Sequence, residues 1–222
     1  MKPMAATLAL KAQGGGRKAS KEVRRQQLIE ATIDSLAKRG YAETTLADVA
    51  DGAGLSRGIV NFHFDSKEKL LVESLRYLAD EYGNHWRAAL AKAGSSPAER
   101  LWALVAADFD RKVCSRRKIA AWCAFWGEAE SRPTYQALCG SRDEQYQQTI
   151  VELCKAIVAE GGYDADPVHL AHGLDALLEG LWLRLLMDQA KQVRERLRAC
   201  AAAHLAAVFP RHFSAEGPIG SR

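Results

Sequence analysis

TTLADVADGAGLSRGIVNFHFDSKEK, residues 44–69, reads as two short helices around a tight turn, followed at once by the start of a third. Thr45 with Asp48 three residues on is a capping-box pattern. Leu46, Val49 and Ala50 then recur at helical spacing on one face. Gly54 supplies the left-handed residue that closes this helix. Ser56 can cap the next one, which places Arg57, Gly58, Asn61 and Phe62 on its first two turns. Phe62-His63-Phe64 ends that helix, and Asp65 or Ser66 opens the third. The layout is a helix-turn-helix, whose second helix enters the major groove of duplex DNA.

Upstream, residues 24–39 read as a helix with Ile29, Ile33 and Leu36 on one face, Gly40 closing it and Tyr41 following as a core plug. Helix, helix-turn-helix, aromatic cluster and long helix together resemble the N-terminal domain of TetR-family transcriptional regulators, over about residues 21–75. The run ADVADGAGLSRGIVNFHFDSKEKLL fits that pattern almost position by position. The resemblance implies that Thr45, His63 and Lys67 contact phosphates. It places Ser56, Arg57, Gly58, Asn61 and Phe62 on the recognition helix, and Arg24 belongs to the same DNA-binding set. The family most often has Tyr at the position of His63, but an imidazole can still donate one hydrogen bond to a phosphate.

The formal net charge of +4 is unevenly spread. Residues 1–25 carry seven Lys/Arg and one Glu, whereas residues 68–222 carry twenty of each sign. Residues 1–20, with a triple glycine and few large apolar side chains, are expected to be a disordered basic arm. Such an arm either neutralises DNA phosphate or serves as a solubilising tail. Residues 21–66 form the expected DNA-binding domain, 67–210 a helical effector-binding and dimerisation domain, and 211–222 a flexible tail.

Beyond residue 70 the punctuation is helical. Ser96-Pro97 with Glu99, and Asp166-Pro167, are helix starts, and Gly161-Gly162 is a helix stop. Helices are expected at about 67–91, 97–112, 116–130, 133–159, 167–187 and 190–208. The fold class is all-α. No apolar run reaches the ~20 residues that span a bilayer, so no membrane partner and a cytoplasmic location are expected. Five cysteines without a CxxC argue against a disulfide framework or a cysteine zinc site. His169 and His172 share a helix face, but no acidic or thiol partner at ligand spacing accompanies them, so neither metal nor cofactor is expected. The chain carries no phosphate loop, GxSxG or HExxH, which leaves a helical enzyme a remote alternative.

Aromatic residues mark the second half. Trp122, Phe125 and Trp126 fall on one helical face, and Asp175, Glu179 and Trp182 share another. Such stripes are ordinarily core. Together with carboxylates they can also cage an organic cation, because ring faces attract positive charge. Residues 24–32, RRQQLIEAT, with Trp122-x-x-Phe125-Trp126 and residues 179–184, EGLWLR, resemble BetI-type regulators, the choline-responsive repressors of glycine betaine synthesis. The resemblance implies a choline-like effector. The candidate site comprises Trp122, Phe125, Trp126 and Trp182, with Asp110, Glu128, Asp175 and Glu179 as counter-charges. A flat apolar effector remains the alternative on the same aromatics. Residues 174–187 and 191–209, rich in apolar and small side chains, are expected to form a four-helix seam in a homodimer, and a two-fold dimer requires a roughly palindromic operator.

Overall fold

The computed structural model describes residues 17–128, 133–188, 190 and 192–220. Local chemistry sets where its helices begin. Thr45 caps α2 (Leu46–Ala53) in a complete capping box with Asp48, and Gly54 at φ +65° turns the chain out of it. The next helix, α3 (Arg57–His63), starts from extended backbone at Ser56, but the Ser56 hydroxyl makes no capping bond, contrary to expectation. Ser66 caps α4 (Lys67–Lys92), deciding between the two candidates there. Ser96 and Glu99 form the second capping box, at the start of α5 (Pro97–Asp108).

The first helix, α1 (Arg17–Glu43), begins earlier than expected, so residues 17–20 of the proposed arm are helical; residues 1–16 of it lie outside the described residues. Gly40, at φ +80°, breaks the regular helix before Tyr41. Leu28, Ile29, Ile33 and Leu36 of α1 pack with Val49, Val60 and Phe64 to form the core of a three-helix head.

The body comprises α4, α5, α6 (Arg116–Trp126), α7 (Pro133–Gly161), α8 (Pro167–Met187) and α9 (Val193–Val208). α5 is shorter than expected. It stops at Asp108 because Asp110 starts a turn, its carboxylate accepting the Lys112 N–H at 2.8 Å and its carbonyl accepting those of Val113 and Cys114. α6 stops at Trp126, with Gly127 as its cap. Cys114, Cys139 and Cys154 are buried, Cys123 is half-buried and Cys200 is exposed.

The expected flexible tail is instead folded as far as residue 220; residues 221–222 lie outside the described residues. A turn after α9 brings the His212 and Phe213 N–H groups onto the Phe209 carbonyl, both at 2.9 Å. β1 (Phe213–Ser214) then pairs antiparallel with β2 (Gly217–Pro218). Phe213 is 2 % exposed, and the backbone at Gly217 lies against the Trp102 indole. The Tyr163 hydroxyl, 3.0 Å from His212 Nδ1, ties this segment to the end of α7. A single aromatic in a polar stretch gave no periodic signal, yet its burial fixes the tail.

Candidate functional site

Two surfaces stand out, one on the head and one inside the body. On the head, Ser56 and, on α3, Arg57, Gly58, Asn61 and Phe62 are all exposed, and the Phe62 ring is 70 % accessible. The first turns of α1 add positive charge beside it. Lys21 Nζ lies 5.3 Å from the Phe62 ring centroid, and Arg24 is exposed. His63 packs edge-on against Phe62, with ring centroids 5.2 Å apart. Burial, followed by the nearby Lys21, Arg24 and Arg25, holds its imidazole below the ordinary histidine range, which favours the neutral ring. Its Nδ1 is buried without a hydrogen-bond partner.

Thr45 and Lys67 flank this surface. The Thr45 hydroxyl donates to Asp48 Oδ2 at 2.6 Å and accepts the Asp48 N–H at 3.2 Å, so it is already held in the cap. Lys67 donates from Nζ to the Ala42 carbonyl at 2.9 Å, which fixes the start of α4 against the end of α1. Eight residues of the expected DNA-binding set lie on the head, and the ninth, Lys67, opens α4 beside it. Among them α3 presents a contiguous exposed face.

Inside the body, a cavity of about 220 Å³ opens between α4, α5, α6, α7 and α8. Trp122 and Trp126, one turn apart on α6, stack at 6.2 Å with an interplanar angle of 27° and form one wall. Trp182 of α8 forms another, its indole N–H donating to the Asp108 carbonyl at 3.0 Å. Tyr82 of α4 meets Trp182 edge-on at 5.7 Å. Tyr135 of α7 accepts the Trp126 indole N–H at 2.8 Å. Among the described residues, the charged groups lining the cavity are all acidic: Asp108, Asp143, Asp175 and Glu179.

The most enclosed of these is Asp108, 2 % exposed, the last residue of α5. The Tyr82 hydroxyl donates to its Oδ1 at 2.7 Å and the Tyr146 hydroxyl to its Oδ2 at 2.9 Å. Burial pushes this carboxyl up to about 7 against the opposing pull of the two phenols, and the Asp175 charge adds to the rise. Asp143 is raised to about 6 by burial and by Asp175 and Glu179. Glu179 is raised by burial and by Asp175. Asp175 accepts a hydrogen bond from Gln147 Nε2 at 2.8 Å.

Trp122, Trp126, Asp175, Glu179 and Trp182 thus come together around one space. Three other candidates do not. Phe125 lies at the edge of that face of α6, where it meets Tyr41 edge-on at 5.8 Å and lines a separate small crevice with Glu128. The helical angle that separates Phe125 from the Trp122–Trp126 line carries it away from the cavity. Asp110 points outward from the turn after α5, with His85 3.6 Å away. Asp108 escaped the reading of the sequence, although Leu101, Leu104, Val105 and Asp108 occupy one buried face at i, i+3, i+4 and i+7. A lone acid continuing an apolar stripe was the available signal. Tyr82, Tyr135 and Tyr146 lie on long helices whose pattern gave no sign of which aromatic faces a cavity.

A head that exposes a recognition helix, joined to a body that encloses a ligand-sized cavity, defines a ligand-responsive DNA-binding regulator. The comparisons give its family. Residues 28–73 match the bacterial regulatory proteins of the tetR family, and residues 97–210 match the C-terminal domain of BetI-type transcriptional repressors. The chain belongs to the TetR family and carries the BetI-type domain; it is a ligand-responsive transcriptional repressor. It is 36% identical over 165 residues to the HTH-type transcriptional regulator BetI of Burkholderia thailandensis, covering 74% of this chain and 82% of that one. The BetI of Paraburkholderia xenovorans is 35% identical over 168 residues, with the same coverage. Among solved structures, a transcriptional regulator from Pseudomonas aeruginosa PAO1 superposes with a TM-score of 0.73 at 27% identity, covering 87% of this chain and 95% of the other. A transcriptional regulator from Saccharomonospora viridis in complex with choline superposes with a TM-score of 0.72 at 25% identity, covering 83% and 96%. Among the described residues, no helix is long and apolar enough to cross a membrane.

Proposed function

We propose that this repressor is a cytoplasmic homodimer that binds a roughly palindromic operator and responds to choline or a close quaternary-amine relative, controlling genes for glycine betaine formation. The observation that carries the effector is the composition of the cavity. Three indoles wall it, and among the described residues every charged side chain lining it is acidic. A quaternary ammonium has no N–H to donate, so ring faces and diffuse negative charge are what can hold it in place of water. The choline bound to the Saccharomonospora viridis regulator supports the same class of ligand.

The DNA side rests on the exposed face of α3, with Arg57 and Asn61 as base-reading side chains and Lys67, His63, Thr45 and Arg24 toward the backbone. Dimerisation rests on the outer faces of α8 and α9. Gly173, Ala176, Gly180, Leu183 and Met187 form an exposed line along α8, with Leu183 42 % and Met187 66 % accessible. Ala199, Ala203 and Ala207 do the same on α9. A continuous apolar and small-residue stripe left in water is a surface for a mate.

Calorimetry with choline and with its uncharged isostere 3,3-dimethylbutanol tests the effector. Choline should bind in the micromolar to millimolar range, since two or three rings at about 0.5–2 kcal/mol each, with a carboxylate, correspond to such affinities. The neutral compound should bind several-fold more weakly. Equal affinity for both would replace the cation reading with that of a flat apolar effector.

A further inference from the structure

The cavity holds an electrostatic imbalance. Four carboxylates line it and, among the described residues, no basic side chain does. Asp108 is the one set apart from solvent, and its two oxygens are occupied by phenol hydroxyls from two different helices. The ionisable groups around it can be named element by element. From α4 come Tyr82 and, further along, His85, which faces Asp110. From α7 come Tyr146, Asp143 and Arg142, the last paired with Asp80 of α4 at 2.6 Å, and from α8 Asp175 and Glu179. The turn after α5 contributes Asp110 and Cys114, and α9 contributes Arg194, whose guanidinium is spent on the Phe109 carbonyl at 2.7 Å. Nothing in this set is a cation directed at the Asp108 carboxylate. An isolated buried anion is costly, and phenol donors offset only part of that cost.

Resting on the effector reading above, we propose that Asp108 is the charge-selecting residue of the cavity, and that an entering organic cation displaces a proton from it to solvent, so that effector affinity rises with pH. In the empty cavity the neutral acid keeps both hydrogen bonds if one reverses, the carboxyl O–H donating to a phenol oxygen. When the cation enters, the O–H bond of Asp108 breaks, its electron pair stays on the carboxylate, and the proton passes to buffer. The carboxylate then carries the counter-charge while both phenols donate to it. The cavity prefers a cation to its neutral isostere because only the cation stabilises the ionised form.

The sign follows from the raised carboxyl, near 7 in the empty protein. Above that pH the proton is already absent and affinity is flat. Below it, each pH unit weakens binding by up to tenfold for a single displaced proton. Asp143, at about 6, adds to the slope only at lower pH.

The test is calorimetry of the full-length protein with choline at about pH 6, about 7 and about 8, each in two buffers of different ionisation enthalpy. The expected result is proton release of a substantial fraction of one per choline near neutrality, vanishing at the highest pH, with affinity weaker at the lowest. Asp108→Asn should abolish the proton release near neutrality and flatten the pH profile, whereas Asp110→Asn, outside the cavity, should leave both in place. Tyr146→Phe removes one donor to the carboxylate and should move the midpoint of the profile to higher pH, an outcome that a purely structural loss would not produce. Choline binding without proton release, or release that persists in Asp108→Asn, would overturn the assignment to Asp108 and leave the effector reading intact. Absence of choline binding at every pH would overturn both.

Discussion

Gly180 offers a substitution whose sign differs between protomer and dimer. It sits in the interior of α8, exposed, and a Cβ built on it meets no atom within 4 Å. In an isolated protomer Gly180→Ala should therefore stabilise by about 0.5–1 kcal/mol, the helix-interior difference between the two residues. A large side chain such as Leu should also be tolerated there, since it would project into solvent. Within a two-fold seam the position is occupied twice, once from each copy. Overpacking a close helix contact costs about 1–3 kcal/mol per site. Gly180→Leu should thus weaken the dimer by about 2–6 kcal/mol, or roughly 30-fold to 10⁴-fold in dissociation constant. Sedimentation velocity over a concentration series measures the association, and helical circular dichroism at low concentration measures the protomer. The expected outcome is a folded monomer at concentrations where the wild type is dimeric. An unchanged dimer in Gly180→Leu would refute the placement of α8 in the seam, and a monomeric wild type at micromolar concentration would refute the dimer itself.

On the operator, Arg57→Ala should cost about 1–3 kcal/mol and relax preference at one position per half-site. Lys67→Ala should weaken all sequences alike and lower the salt dependence, which gel-shift titrations at several salt concentrations would resolve. Arg117 of α6 pairs with Glu30 Oε2 at 2.7 Å and also with Asp34, both on α1. Burial opposes ionisation of Glu30, but the Arg117 hydrogen bond and charge outweigh it and hold the carboxyl below its usual range. Arg117→Ala should leave choline affinity in place while reducing the influence of choline on operator affinity, whose full size in such systems is about 1–3 kcal/mol; undiminished coupling would count against this joint. Phe213→Ala should destabilise by about 3 kcal/mol, the lower end for a buried phenylalanine because a terminal segment can detach. The melting temperature should fall by roughly 6–12 °C, whereas an unaltered melt would mean the C-terminal hairpin contributes little.

How much of this was readable in the sequence depended on whether a local rule or a tertiary contact fixed the answer. The head was readable because its boundaries are capping chemistry. Thr45 with Asp48, Gly54 and Ser66 each act within four residues of where they stand. The Trp122–Trp126 wall was readable for the same reason, one helical turn separating the two rings. Phe125 shows the limit of that rule: residues three and four apart share a broad face, but a cavity occupies only part of it. The rest of the face packs on Tyr41. Asp108 and Asp110 illustrate a second limit. Both sit in one AADFD stretch, and choosing between them required knowing that α5 ends at Asp108. The tail was misread because the forces that fold it, the Phe213 side chain in the core and Tyr163 on His212, come from distant parts of the chain.

α6 joins the two surfaces. Trp122 and Trp126 on one side of it wall the cavity, while Arg117 and Phe125 hold α1 of the DNA-binding head. Tyr135 stands at the crossing, lining the cavity while also bordering the crevice that Tyr41, Phe125 and α4 enclose. A helix of eleven residues is short and stiff on this scale, so a displacement of its tryptophan side is transmitted to its head-facing side rather than absorbed within it. A ligand shifts an equilibrium only by its differential affinity for two arrangements, so Arg117→Ala, which frees α6 from α1, is the substitution that tests α6 as the link between cavity and head. The cavity alone could bind a cation without consequence for DNA. One of its walls is also the helix on which α1 of the head packs.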